Sequence, residues 1–307
     1  MPYRGPRFDT VVPPGGYGWW YVDAISADHR FGLTIIGFVG SVFSPYYKAS
    51  GRGDPENHAS INVALYGPRG SRWTMTERRR GSLMRTPDTL AIGPSAMRWD
   101  GNALVIDIAE RAAPIPRAVR GQVRLTPELL NGTAFALSDG ARHLWHPIAP
   151  RAAVEVDMTA PDLSWRGSGY FDSNFGQEPL EAGFRDWHWS RAHLKDDVAV
   201  IYEGERRDGT DFAMALRFDR AGNWHDAPLP PSAMLPKTGF RMNRRTRGTG
   251  VKLVKTWENA PFYARSALTT ELYGERVDAV HESLAMDRFV SPLVQWMLPF
   301  RMPRAFR

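Results

Sequence analysis

The 307-residue sequence contains no cysteine. This absence excludes disulfide bonds, thiolate nucleophiles, iron–sulfur clusters and thiolate zinc sites. Several enzyme motifs are missing as well. No Gly-x-Gly-x-x-Gly segment opens a βαβ unit, and the sequence has no Walker loop, Gly-x-Ser-x-Gly elbow or His-Glu-x-x-His pair. His143 and His146 have a His-x-x-His spacing, but no carboxylate pair nearby completes a metal site. We therefore expect no bound cofactor and no metal.

Long apolar runs and targeting signals are also scarce. The longest uncharged stretch of note, Phe31–Tyr47, has 17 residues, is broken by glycines and a proline, and alternates in polarity. That pattern predicts strands and not a membrane helix. The start, Met1-Pro-Tyr-Arg-Gly-Pro, is polar and broken by prolines, unlike a secretory signal. We expect a cytoplasmic location.

The positive charge is concentrated near the C-terminus. The formal net charge is +6, and the segment Arg241–Arg307 alone holds 12 Lys/Arg against 6 Asp/Glu. Anionic lipid head groups and nucleic acid are both possible partners for such a segment. No nucleic-acid module is recognisable, and the aromatic residues do not alternate with the basic ones as in a stacking platform. Nucleic-acid binding is therefore not expected.

Strand patterns dominate the chain. Apolar residues alternate in short runs such as Leu104–Ile108, Val154–Met158 and Phe212–Phe218, with Asp-Gly or Gly-rich turns between runs. Such runs predict an all-β fold of antiparallel barrels or sandwiches. The Pro- and Ala-rich edges of residues 147–161 suggest a domain boundary, which gives domains of residues 1–160 and 161–307.

A short C-terminal helix is the best helical prediction. In Val290–Phe306 an apolar face recurs at helical spacing, Pro292 suits the first turn, and Pro299 would end the helix early. The face comprises Val290, Leu293, Val294, Met297 and Leu298, and Arg288, Arg301, Arg304 and Arg307 flank it. It could dock on an anionic membrane surface or pack on the protein body, and the sequence leaves both open.

Aromatic residues make up 12% of the chain and include 11 Trp. They could fill the space between sheets, or they could line a cavity for a large apolar ligand. Two spacings are informative in this context. In a strand, residues i and i+2 share a face. His143 and Trp145 therefore point the same way, and so do Tyr170 and Asp172. The four side chains could meet in one pocket, or they could be an ordinary Gly-rich turn with a core Trp.

Several segments together form a specific pattern. They are Gly15-Gly-Tyr-Gly-Trp-Trp-Tyr-Val-Asp23, Gly37-Phe-Val-Gly40, Ser44-Pro-Tyr-Tyr47, Gly167–Asn174 and Trp187–Trp189. Through them the chain resembles the carotenoid 1,2-hydratase family of purple photosynthetic bacteria over nearly its whole length.

The resemblance implies a fold, a reaction and a site. Family members look like two lipocalin-like β-barrels in tandem. They add water across the terminal C1=C2 bond of acyclic carotenoids, giving a tertiary alcohol without a cofactor. The family's proposed site, an Asp two residues after a Tyr and a His two residues before a Trp, maps onto Asp172, Tyr170, His143 and Trp145.

The roles that follow are expectations. Asp172, kept protonated by burial in an apolar tunnel, would protonate C2. Trp145 and Tyr170 would face the cation at C1. His143 would hydrogen-bond Asp172 or accept a proton from the attacking water. The partners would be an acyclic carotenoid, water and the surface of the inner or photosynthetic membrane. The alternative is a non-catalytic lipocalin-like carrier of carotenoid or another long apolar ligand.

Overall fold

The described part of the chain, residues 5–305 of this computed structural model, is predominantly antiparallel β-structure with few helices. The all-β prediction is therefore confirmed. The chain forms two units. The first runs to Pro179 and also includes the chain from Trp296 onward, and the second is Leu180–Gln295.

The first unit is built on one large sheet of 12 strands. Its strands are β1 (Tyr17–Ser26), β2 (Gly32–Val39), β3 (Ala59–Tyr66), β4 (Arg72–Met75), β5 (Leu83–Thr86), β6 (Thr89–Ile92), β7 (Ser95–Trp99), β8 (Leu104–Arg111), β9 (Ala118–Pro127), β10 (Phe135–Ala136), β11 (His143–Ala160) and β12 (Asp162–Gly176). Their order is β4-β3-β2-β1-β12-β11-β9-β8-β7-β6-β5, and β10 pairs with β11. Helix α1 (Pro45–Ala49) follows β2, and 3-10 turns lie at Pro55–Asn57, Arg80–Ser82 and Asp139–Ala141.

The core of the first unit lies on one face of this sheet. Trp20, Val22 and Phe171 belong to it and are completely buried. The sheet curls so that its two halves meet, because a Cβ placed on Gly37 of β2 would lie 2.7 Å from Leu90 of β6. Glycine at this position allows the close approach.

The second unit has a seven-stranded sheet and a separate hairpin. Its strands are β13 (Phe184–His193), β14 (Asp197–Arg206), β15 (Asp211–Asp219), β16 (Trp224–Asp226), β17 (Ser232–Leu235), β18 (Arg244–Arg247), β19 (Thr249–Asn259), β20 (Tyr263–Leu272) and β21 (Glu275–Ala285). The sheet order is β16-β15-β14-β13-β21-β20-β19, and β17 pairs with β18. Helices α2 (Leu180–Gly183) and α3 (Met286–Phe289) precede and follow the sheet in the chain.

The division between the units differs from the predicted boundary at residue 160. Residues 147–161, expected to link two domains, lie in the 18-residue strand β11 and its turn into β12. Strand β12 pairs with β11 and β1, so it belongs to the first sheet. The division falls after Pro179. His143, Trp145, Tyr170 and Asp172 therefore all lie in the first unit.

The predicted C-terminal helix is present as α4 (Pro292–Arg301), and it begins at Pro292 as expected. The expectation that Pro299 ends it early is wrong. Proline removes one N–H donor but not the following ones, and Met302 N–H still donates to Leu298 O at 2.8 Å. Phe306 and Arg307, part of the predicted tail, lie outside the described residues.

The predicted apolar face of the helix is divided between buried and exposed residues. Val294, Leu298 and Met302 are buried, whereas Leu293 and Met297 are exposed. The helix therefore has a packed apolar side and an exposed one. Within residues 5–305, no helix combines the length and the apolar character that crossing a membrane requires.

The chain after α4 is fastened to the first unit. Glu77 N–H donates to Pro303 O at 2.9 Å, and Ala305 N–H donates to Glu77 O at 2.8 Å. The Arg304 guanidinium donates to the buried Glu77 carboxylate, which also bonds His58 Nδ1 at 2.9 Å. These contacts hold the end of α4 in place on this unit.

Candidate active site

The four predicted residues project from the face of the first sheet opposite the core. Alternation along β1 and β12 separates the two faces, because directly paired residues point to the same side. The register pairs Trp19 with Asn174, Tyr21 with Asp172 and Asp23 with Tyr170. All six side chains are at least nine-tenths buried. This face is therefore aromatic and acidic, whereas the core behind it is purely hydrophobic.

Asp172 is the centre of a buried hydrogen-bond cluster. Its Oδ2 accepts from the Tyr170 hydroxyl at 2.8 Å and from Trp145 Nε1 at 2.9 Å. Trp145 Nε1 also lies 3.0 Å from the Tyr170 hydroxyl oxygen. Asp172 Oδ1 accepts from Asn174 Nδ2 at 3.2 Å. The expected grouping of Asp172, Tyr170 and Trp145 is thus observed.

The electrostatics keep Tyr170 protonated. Its ring is completely buried, and desolvation raises the pKa of its phenol well above the usual value. The negative charge of Asp172, the hydrogen bond to it and the charge of Asp23 raise this pKa further. Tyr170 is consequently a hydrogen-bond donor to Asp172 throughout the neutral pH range.

His143 lies in a neighbouring group on the same face. Its Nδ1 is 2.9 Å from the Tyr17 hydroxyl and its Nε2 is 3.2 Å from Glu178 Oε1. A carboxylate only accepts, so Nε2 carries the proton and Nδ1 accepts from Tyr17. Burial lowers the pKa of His143, and Glu178 opposes that shift. The hydrogen bonds described for the His143 ring are therefore those with Tyr17 and Glu178.

A glycine makes the Tyr17 contact possible. Gly176 lies between the two residues in the sheet, paired with Tyr17 on one side and His143 on the other. A Cβ on Gly176 would lie 2.1 Å from Tyr17 Cε1. Any larger residue would push the Tyr17 ring away, so Gly176 lets this ring lean across β12 to His143.

Sequence reasoning missed five residues of this face. They are Tyr17, Tyr21, Asp23, Asn174 and Glu178. A signal was present for two of them, because Tyr21-Val-Asp23 repeats the Tyr-x-Asp spacing of Tyr170-Phe-Asp172. Because β1 pairs with β12, the two Tyr-x-Asp segments lie opposite each other in the sheet. This pairing joins distant parts of the chain, so the sequence alone does not reveal it.

The Trp145 hydrogen bonds should be measurable as stability. Trp145→Phe removes the N–H donor from the buried Asp172 and Tyr170 oxygens, and we expect it to lower the free energy of unfolding by about 1–3 kcal/mol more than a control. The control is Trp165→Phe, because Trp165 Nε1 is buried and has no hydrogen-bond partner among the described residues. Denaturant unfolding followed by circular dichroism measures both. Equal losses in the two variants would contradict the assigned hydrogen bonds.

Comparison with known proteins identifies the family of the chain. The family model described as Carotenoid hydratase CrtC matches residues 35–307. An acyclic carotenoid 1,2-hydratase of Thiocapsa roseopersicina is 52% identical over 310 residues, which cover 99% of this chain and 76% of that protein. The protein of the same name from Rubrivivax gelatinosus is 48% identical over 309 residues, with 97% and 76% covered.

Solved structures share the fold at low identity. A candidate AttH protein from Nitrosomonas europaea aligns with a TM-score of 0.62 at 16% identity, covering 92% of this chain and 99% of that chain. Kievitone hydratase from Nectria haematococca aligns with a TM-score of 0.56 at 10% identity, covering 90% and 92%. These structures support the fold alone. The family match and the sequence identities near one half show more: the chain belongs to the carotenoid hydratase family and is a hydro-lyase.

Proposed function

We propose that this protein adds water across the terminal C1=C2 double bond of acyclic carotenoids such as neurosporene and lycopene, giving 1-hydroxy carotenoids without a cofactor. The observation that carries the proposal is the buried Asp172 carboxyl, held by N–H and O–H donors on a face rich in aromatic rings. The names of the relatives supply the substrate class.

The first step is protonation of C2 by Asp172. The π electrons of C1=C2 form the new C2–H bond, the Asp172 O–H bond breaks, and the positive charge stays on the tertiary carbon C1. Tyr170 and Trp145 both donate to Oδ2 of Asp172, so the acidic proton belongs on Oδ1. Burial favours the neutral acid over the carboxylate.

Asn174 can serve both states of this acid. Its Nδ2 donates to Asp172 Oδ1, and its own Oδ1 is buried without a hydrogen-bond partner among the described residues. The two amide atoms exchange by a rotation of 180° about the last side-chain bond. Asn174 therefore donates to the carboxylate after proton transfer and accepts from the acid before it.

The aromatic rings stabilise the cation and exclude water. Trp145 and Tyr170 adjoin the acid, and Tyr21 packs with its ring centroid 6.2 Å from that of Tyr170. A desolvated cation facing such rings gains about 2 kcal/mol from cation–π attraction. Neutral His143 acts as a positioning residue in this proposal, since it holds Tyr17, whose ring stacks 4.8 Å from that of Trp19.

A hydration assay tests the reaction. The purified protein is incubated with lycopene or neurosporene in detergent micelles, and the extracted pigment is analysed by mass spectrometry. We expect a mass gain of one water and a retention time of a monohydroxy carotenoid. Pigment that binds to the protein but is recovered unchanged would overturn the hydratase proposal in favour of the carrier.

We further propose that the enzyme meets its substrate as a peripheral protein of the inner or photosynthetic membrane, on its cytoplasmic side. The exposed side of α4 supports this, because Trp296 is 68% exposed, Leu293 67% and Phe300 61%. These positions follow an i, i+3, i+7 spacing and share one side of the helix. Basic residues flank the helix, with Arg288 in the preceding helix α3 and Arg301 as the last residue of α4. Apolar rings between cations suit the boundary of an anionic bilayer.

A further inference from the structure

The two Tyr-x-Asp segments face each other in a reciprocal arrangement. Tyr21 of β1 lies directly opposite Asp172 of β12, and Asp23 lies directly opposite Tyr170. Each tyrosine hydroxyl is directed at the aspartate two residues further along its own strand. The distances to the aspartate Oδ2 are 2.8 Å for Tyr170 and 3.4 Å for Tyr21. The sheet thus presents two carboxyl groups in nearly equivalent settings.

The second carboxyl is as buried as the first. Asp23 is completely shielded from solvent, and its charge helps to raise the pKa of the Tyr170 phenol. Asp23 and Asp172 are diagonal neighbours across the paired strands, a relation that places Cα atoms about 7–8 Å apart. A second buried carboxyl thus lies beside the proposed acid, where it can accept the proton that the attacking water must lose.

A hydroxyl adjoins the second carboxyl. Thr34 of β2 lies directly opposite Asp23 and points to the same face. Its Oγ1 is buried and has no hydrogen-bond partner among the described residues. Buried polar groups are rarely left unpaired in proteins. A carboxylate that accepts and a hydroxyl that can donate or accept together suit one water molecule.

We propose that Asp23 is the catalytic base of the hydration reaction and that Thr34 positions the attacking water. This inference rests on the proposed function and assigns its second half-reaction. Once Asp172 has protonated C2, a lone pair of the water oxygen forms the C1–O bond. The water O–H bond breaks, and its proton goes to the Asp23 carboxylate. Asp23 ends as the acid and Asp172 as the carboxylate.

The catalyst is restored by returning that proton from Asp23 to Asp172. Tyr170 is suited to pass it, because it lies opposite Asp23 and already donates to Asp172. The phenol accepts a proton from Asp23 as it releases its own to Asp172 Oδ2. A 180° rotation of the Asp172 carboxyl group then brings the protonated oxygen to the Oδ1 position. No charge accumulates on the protein over the cycle, and no external acid or base is consumed.

The pH dependence of kcat/KM tests this assignment with Asp23→Asn. The parent enzyme should lose activity at low pH, where the base is protonated, and at high pH, where the acid is ionised. Asp23→Asn should lower kcat by about 10²-fold or more and remove the loss at low pH, with KM nearly unchanged. Asp157→Asn, an exposed aspartate on β11, is the matched control and should behave as the parent does.

Two further measurements separate a catalytic role from a structural one. Formate should restore part of the activity of Asp23→Ala, because a small carboxylate can replace the missing base. Thr34→Val, which keeps the shape but removes the hydroxyl, should lower kcat by about tenfold, whereas Thr34→Ser should retain most activity. Circular dichroism tests whether each variant folds. If Asp23→Asn does not fold, the comparison of kcat between Thr34→Val and Thr34→Ser tests the inference instead.

Two results would overturn the inference. One is an Asp23→Asn enzyme with a kcat within about threefold of the parent, or with the same loss at low pH, since a base contributes about 10²–10⁴-fold. The other is equal kcat for Thr34→Val and Thr34→Ser. A parent protein that hydrates no acyclic carotenoid would instead refute the proposed function, and the inference with it.

Discussion

Replacing Asp172 with Asn is expected to lower kcat for carotenoid hydration by about 10²–10⁴-fold, the range associated with losing a positioned acid. The amide is isosteric with the acid but cannot protonate an alkene. Tyr170 and Trp145 can still donate to the remaining carbonyl oxygen, so the fold should persist. The measurement is the initial rate of hydroxy carotenoid formation, with circular dichroism to confirm the β-structure.

Asp157→Asn controls for the loss of one negative charge, because it lies on β11 but is exposed. It should retain parent activity. Asp172→Glu adds a second test, since the longer acid restores the proton but displaces it, and we expect a partial recovery over Asp172→Asn. Near-parent turnover by Asp172→Asn would rule out Asp172 as the proton donor.

Membrane binding is expected to fall by about 100-fold or more when Leu293, Trp296 and Phe300 are all replaced by Ser. Each side chain contributes up to about 1.5–3 kcal/mol if fully buried in an apolar medium. Three partly inserted side chains therefore account for several powers of ten in partitioning. Co-flotation with vesicles of phosphatidylglycerol and phosphatidylcholine measures the change. Substitution is preferable to truncation, because Arg304 and Met302 help to hold the end of the chain on the first unit.

The matched control replaces three exposed apolar residues of the first unit outside α4, Val11, Met84 and Ile115, by Ser. It should bind vesicles as the parent does. The α4 variant should also lose hydration of carotenoid presented in vesicles while keeping hydration in detergent micelles. Equal vesicle binding by the two triple variants would remove α4 from the membrane contact.

The fold class and half of the site could be predicted because strand geometry is local. A period of two places Tyr170 beside Asp172 and His143 beside Trp145 whatever the rest of the chain does. The contact of Trp145 with Asp172 needed one further step, the pairing of β11 with β12, which follow each other in the chain. Asp23 needed the pairing of β1 with β12, which no local pattern specifies.

Two other differences between the sequence-based predictions and the structure also have physical causes. The Pro- and Ala-rich edges of residues 147–161 suggest a domain boundary, but proline is also tolerated at irregularities of a long strand, and β11 has register shifts between His146 and Ala152. In α4, apolar residues occur on more than one side of the helix. Helical periodicity alone cannot decide which side packs and which remains exposed.

The division of β1 and β12 into a core face and a site face restricts how this region can change. In β1, Trp20 and Val22 face the core while Tyr21 and Asp23 face the site, and in β12 the same holds for Phe171 against Asp172. Inserting or deleting one residue within either strand would exchange these faces, driving a carboxyl into the hydrophobic core and a phenyl ring into the site. The packing of the core and the arrangement of the candidate site would be lost together. We therefore expect β1 and β12 to tolerate substitutions, and changes in chain length to be tolerated only in the turns at their ends.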